Sequence, residues 1–189
     1  LIAWLRETVM LPLHAALPEG AARITLIPTG YLALLPLPAA GKGVFTYAPN
    51  ARALAAAQAV AARRAATALL AVENPDGSLD TSREEVAVTL DTFPVAGRAH
   101  LPHEVATRQA VLDALPDHNV WHFSTHGIAG WRQPLEGGLL AADGLITLRD
   151  LLQLQAEARL AVLSACETGV PGMELPDEVI GLPTGLLQA

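Results

Sequence analysis

Two short apolar runs, each ending in a polar turn marked by glycine, restrict what this chain can fold into more than any other feature. They are Val120-Trp121-His122-Phe123-Ser124-Thr125-His126-Gly127 and Leu160-Ala161-Val162-Leu163-Ser164-Ala165-Cys166-Glu167-Thr168-Gly169. Runs this short, rich in aliphatic and aromatic residues and bounded by turn residues, read as strands rather than helices. Between them lie a Gly-rich, hairpin-like stretch at 137–144 and a helical pattern from Thr147 to about Ala156. That is the length of one crossover, so the two strands can lie side by side and run parallel.

The rest of the chain repeats the alternation. Ala68 to Val72 reads as another buried strand, stopped by Asn74-Pro75-Asp76-Gly77. Ser82 with Glu85 three residues on is a capping-box signature for a helix to about Thr92. A short strand at Ala99–Leu101 follows, then a helix capped by Thr107 over Arg108–Leu115. The last helix is expected from about Asp177. Strands alternating with helices predict an α/β fold, a mostly parallel sheet with helices on both faces. Residues 1–67 read as a lead-in to that core. It has a helix over Leu1–Leu17, short strands at Arg23–Pro28, Tyr31–Leu37 and Val44–Ala48, and an Ala-rich helix over Ala51–Thr67. Residues 68–189 read as the α/β core.

Composition narrows the function. About half of the 189 residues are apolar, 51%, and 16% are charged, enough apolar matter for a sizeable core. Formal net charge is -7, Lys42 is the sole lysine and no basic run exists, which argues against a nucleic-acid partner. No apolar run reaches membrane-spanning length. One cysteine cannot staple a fold, so a reducing, cytoplasmic setting is expected, with Cys166 either core filler or a reactive thiol.

In open α/β sheets, sites form outside the carboxyl ends of strands. His126 and Cys166 both fall there. A thiol titrates near ~8.5 and needs a base to become a nucleophile at neutral pH, and an imidazole supplies one. Attack on a carbonyl creates an oxyanion that needs donors; the amides of Gly127, which has no side chain to obstruct approach, and of Cys166 are candidates. His118, His122 and His126 recur at a spacing that on a helix would make a metal face, but the local sequence is strand-like. No metal is assigned, and His122 is expected as a packed or hydrogen-bonded strand residue.

The runs Phe123-Ser124-Thr125-His126-Gly127 and Leu163-Ser164-Ala165-Cys166-Glu167-Thr168-Gly169 resemble the signature of CHAT-domain proteins, relatives of the caspase and separase cysteine peptidases. Ile24–Gly30 with Leu34-Leu35-Pro36-Leu37, Tyr47-Ala48-Pro49, Gly138–Gly144 and Gly181–Ala189 are similar to further segments of the same family, so the resemblance spans nearly the whole chain. It implies a caspase-like fold whose last strands would follow Ala189. It also implies a His126–Cys166 dyad with the Gly127 and Cys166 amides as oxyanion hole, and cleavage of a protein or peptide substrate through a thioester acyl-enzyme without a cofactor. Ser164, two residues before the cysteine, stands where caspases line the substrate pocket, and Glu167 and Asp143 are further pocket candidates. Helical-repeat modules of the TPR kind commonly accompany the family, so a regulatory domain of that type is an expected partner. The alternative is a catalytically silent interaction or scaffold module on the same fold.

Overall fold

A computed structural model of the protein describes residues 1–130, 132–154, 156–166 and 182–187. The chain opens with helical residues 2–16: α1 (Ile2–Leu5), a π-helical turn (Arg6–Met10) and α2 (Leu11–Ala16). Strands β1 (Arg23–Leu26) and β2 (Val44–Tyr47) pair in parallel. Their inward residues Ile24 and Leu26 pack with Leu5, Met10, Leu37 and Ala40 in a small core of their own. The segment expected as a strand over Tyr31–Leu37 is instead a 3-10 turn (Gly30–Leu34) followed by α3 (Leu37–Ala40). An apolar run without clear periodicity does not choose between states. Here Pro36 removes a ladder donor, and Pro38 just beyond suits the first turn of a helix.

Helix α4 (Ala51–Arg63) is capped by Asn50, whose side chain accepts from the Ala53 amide at 2.8 Å. It ends four residues before the expected Thr67 because Asn119 takes over the backbone there. The Asn119 amide group donates to Ala65 O at 2.8 Å and accepts from the Thr67 and Ala68 amides, each at 3.1 Å. Arg63 and Arg64 both pair with Glu157, tying the helix end to the segment before the last strand.

The main sheet is parallel throughout its described strands. These are β3 (Leu69–Glu73), β4 (Arg98–Pro102), β5 (Val120–Ser124) and β9 (Leu160–Ser164), in the order β4-β3-β5-β9. Side chains alternate across the pleat. Leu70, Val72, Trp121 and Phe123 point to one face, against Val111 and Leu115 around α6 (Arg108–Ala114), Leu148 and Leu151 of α7 (Leu148–Gln153), and Leu182 of α8 (Leu182–Leu186). Trp121 is fully buried and its indole N–H donates to His118 O at 2.8 Å. Burying a side chain such as Phe123 contributes about 1.5–3 kcal/mol relative to exposure. The opposite face, with Ala71, His122 and Ser124, meets α5 (Ser82–Asp91). Both faces of the parallel sheet are therefore covered by helices, as the alternating sequence predicts.

The capping box expected at Ser82 and Glu85 does not form. Thr81 is the N-cap residue and makes no side-chain cap bond. The Glu85 carboxylate turns instead to the sheet, accepting from the Ser124 hydroxyl at 3.0 Å and lying 3.1 Å from His122 Nε2. A capping box does form at α7, between Thr147 and Asp150. A second, antiparallel sheet joins β6 (Gly127–Ile128), β7 (Gly138–Ala141) and β8 (Gly144–Thr147), the last two being the expected hairpin. Of the expected last helix, residues 182–186 are helical and 177–181 lie outside the described residues.

Candidate active site at the carboxyl edge of the sheet

Ser124 and Ser164 end β5 and β9 as Cα partners, one step beyond the pair Phe123 and Leu163. Parallel neighbours leave the sheet at the same edge, about 4.8 Å apart. His126 and Cys166 each follow two residues later, so the ladder delivers both to one end of the sheet. Cys166 occupies the turn directly after β9, an exposed free thiol.

The backbone leading to His126 is held from two sides. The amide of Asn74 donates to Ser124 O at 2.8 Å. Thr125, only 2% exposed, donates its hydroxyl to Leu140 O at 2.7 Å, and the Leu140 amide donates to His126 O at 2.8 Å. That last bond makes Gly127 and Leu139 a non-hydrogen-bonded pair of the antiparallel ladder, in which the Gly127 N–H points away from β7.

A third strand end completes the edge. Glu73 is the Cα partner of Ser124, and the loop after β3 crosses to the histidine. Ser78 Oγ lies 2.7 Å from His126 Nε2. The same hydroxyl is 2.9 and 3.0 Å from the two carboxylate oxygens of Asp76, and the Ser78 amide donates to Asp76 at 3.2 Å. Asp76 Oδ2 is 3.8 Å from His126 Nε2. Burial pushes the Asp76 carboxyl up, but the Ser78 hydroxyl and amide and the charge of His126 outweigh it and hold the group below its ordinary value. The loop is rigidly built. Asn74, in a left-handed conformation at φ 44°, accepts from the Leu79 amide at 3.0 Å and donates to Leu79 O at 3.1 Å, clipping the two ends together.

In the sequence Asn74-Pro75-Asp76-Gly77 reads as a strand stop, which leaves Asp76 and Ser78 as plain turn residues. The signal that marks them is an Asp-x-Ser turn at the carboxyl end of a buried strand that neighbours the histidine strand. Glu73 is a related surprise: a buried carboxylate at the strand end, 2.7 Å from His100 Nε2.

The other expected residues are distributed as follows. Ser164 is the exposed last residue of β9, beside the cysteine turn. Asp143 lies in the turn of the β7–β8 hairpin, where its carboxylate accepts from the Arg108 amide at 2.6 Å at the start of α6. Glu167 lies outside the described residues. His122 is buried against α5. Its Nε2 approaches Glu85 at 3.1 Å, but the alignment does not make a hydrogen bond, so this is a close electrostatic contact only. His118 is bonded to Ala114 O through Nδ1 at 2.7 Å. Among the described residues no group of three such side chains is placed to hold a metal ion. A cavity of about 650 Å³ opens elsewhere, between α4, the amino end of β9 and α8, lined by Ala56, Val60, Leu160 and Leu186; none of His126, Cys166, Asp76 or Ser78 borders it.

A parallel sheet with helices on both faces, with His126 and Cys166 following adjacent strands at one end, defines an α/β domain with a candidate site at its carboxyl edge. The chain belongs to the CHAT domain family, whose profile matches residues 1–189. No curated protein matches it. Among the described residues no helix is long and apolar enough to cross a membrane.

Proposed function

We propose that the chain is a cysteine endopeptidase, with Cys166 as nucleophile and His126 as general base. The observation that supports this reading is the register of β5 and β9, which pairs Ser124 with Ser164 two residues before His126 and Cys166. The imidazole takes the proton of the Cys166 thiol, and Sγ bonds to the scissile carbonyl carbon. The oxyanion that forms is met by the N–H groups of Gly127 and Cys166. The Gly127 amide, directed away from β7, is suited to that role. Collapse of the intermediate breaks the C–N bond. The imidazolium returns its proton to the leaving amine, and a thioester remains until water hydrolyses it. Ser164 stands beside this site as a small, uncharged pocket residue. The reading requires no cofactor, takes a protein or peptide substrate, and fits a reducing cytoplasmic setting in which a lone cysteine stays a thiol.

The test is the rate of Cys166 alkylation by iodoacetamide, followed by mass spectrometry between about pH 5 and about pH 9, in wild type and His126→Ala. Rapid alkylation well below ~8.5, the ordinary thiol value, and a marked slowing in the variant are expected. A rate that follows an ordinary thiol in both proteins sinks the peptidase reading and leaves a catalytically silent CHAT fold.

A further inference from the structure

The loop after β3 does more than end a strand. Its Ser78 hydroxyl meets the ring of His126, and three distances argue for the order of protons. Ser78 has one hydroxyl proton, and its oxygen lies within 2.9 and 3.0 Å of both Asp76 oxygens. Asp76, held ionised at neutral pH, accepts and does not donate. The Ser78 proton therefore goes to Asp76. The 2.7 Å contact with His126 Nε2 then has the serine oxygen as acceptor, so Nε2 carries the ring proton. The neutral ring keeps its lone pair on Nδ1. The tautomer is assigned from this network.

We propose that Asp76 and Ser78 are positioning residues for His126, a relay running Nε2–H to Ser78 Oγ and Ser78 O–H to the Asp76 carboxylate. This rests on the peptidase reading and deepens it. The relay directs proton abstraction from the thiol to Nδ1. When the ring takes that proton, the Asp76 carboxylate lies 3.8 Å away. Two features make the loop fit for the task. Its ends are clipped by Asn74, and the Ser78 amide is itself bonded to Asp76, so the hydroxyl is presented rather than free to swing. The side chains of His126 and Asp76 are 38% and 37% exposed, so solvent screens the pair and the hydrogen bonds through Ser78 carry the positioning.

The experiment uses the whole chain and two readouts. Ring nitrogen NMR of His126 gives the tautomer, and iodoacetamide gives the reactivity of Cys166. Wild type should show the Nε2–H form of the neutral ring. Ser78→Ala and Asp76→Asn should move the ring toward a mixture and slow alkylation by about three- to tenfold, the worth of one hydrogen bond. Ser78→Thr, which keeps the hydroxyl, should restore both. Amide spectra of the variants, superposable on wild type away from the loop, report an intact fold.

An Nδ1–H ring in wild type overturns the relay, as does an unchanged tautomer and alkylation rate in both loop variants while His126→Ala remains slow. Labelling of Ser78 by a fluorophosphonate would also overturn it, because the serine would then be a nucleophile. If His126→Ala itself leaves alkylation unaltered, it is the peptidase reading that fails, and the relay has no reaction to serve.

Discussion

Ser124 and Ser164 are Cα partners at the ends of adjacent parallel strands, and His126 and Cys166 each follow two residues further on, at the same end of the sheet. Register in a parallel sheet is set by packing on both faces. On β5, Trp121 and Phe123 are buried on one side, and His122 and Ser124 meet α5 on the other. A slip by one residue would bury His122 among Leu70 and Val72 and expel Trp121. The register that brings the two candidate residues to one end of the sheet is therefore held by the core. The same row contains Glu73, so the loop carrying Asp76 and Ser78 starts from the same level.

The backbone of His126 depends on β7, and β7 depends on a glycine. A Cβ at Gly138 would meet the carbonyl oxygen of Ile146, and it would lie 2.9 Å from Thr147 Cα. Both are backbone atoms of β8 and cannot swing aside. Gly138→Ala is expected to destabilise by about 1–3 kcal/mol, the usual range for overpacking. Urea unfolding should show a lower midpoint at unchanged slope. An unchanged midpoint would mean the β7–β8 hairpin is looser than its pairing implies.

Asp150 joins the hairpin to two helices and gives a pH signature. Its side chain is 15% exposed. It accepts from Arg108 at 2.6 and 3.3 Å and from the Thr147 amide and hydroxyl at 2.9 and 2.8 Å. Burial pushes the Asp150 carboxyl up, but the bonds from Arg108 and Thr147 and the Arg108 charge outweigh it, and the group is held below its ordinary value. The folded value thus lies below the unfolded one. Its stabilisation is complete above the unfolded value near ~3.9 and is lost as pH falls through the folded one. Asp150→Asn should cost about 1–2 kcal/mol at neutral pH, discounted because Arg108 is partly exposed. The difference from wild type should shrink in urea titrations repeated at successively lower acid pH. A difference that stays constant with pH would assign the loss to shape, not charge.

The strands that build the edge are legible in the sequence because each is a short apolar run with a polar stop. Hence β3, β5 and β9 stand where expected. So does the helix begun by Thr107, whose hydroxyl accepts from the Ala110 amide at 3.2 Å, because a cap is a local signal. What escaped reading is what tertiary structure reassigns. Glu85 has the spacing of a capping partner, yet Ser124, brought near by the sheet, takes its carboxylate. Tyr31–Leu37 is apolar enough for a strand, and Pro36 with the neighbouring Pro38 decides otherwise. Asp76 and Ser78 look like ordinary turn chemistry, since Asp and Ser favour turns. Their contact with His126 spans 48 positions of sequence, and only the adjacency of β3 and β5 reveals it.

The clip at Asn74 is the point where fold stability and the candidate site meet. The residue is buried, holds φ 44° and makes two side-chain bonds to Leu79, while its carbonyl accepts from the Gly77 amide at 3.0 Å and from His103 Nδ1 at 3.2 Å. Alanine keeps none of the side-chain bonds and is less at ease in the left-handed region than asparagine. Asn74→Ala is therefore expected to cost about 1–3 kcal/mol. The loss should be local before it is global. Hydrogen exchange at the Leu79 and Gly77 amides should accelerate more than exchange at β3 and β5, whose amides lie in the ladder. With the clip open, Ser78 is no longer presented to His126, so Cys166 alkylation should slow by the factor expected for Ser78→Ala. Faster exchange at Leu79 without any change in alkylation would show that the loop need not be clipped for the histidine to be held, and Asn74 would then serve the fold alone.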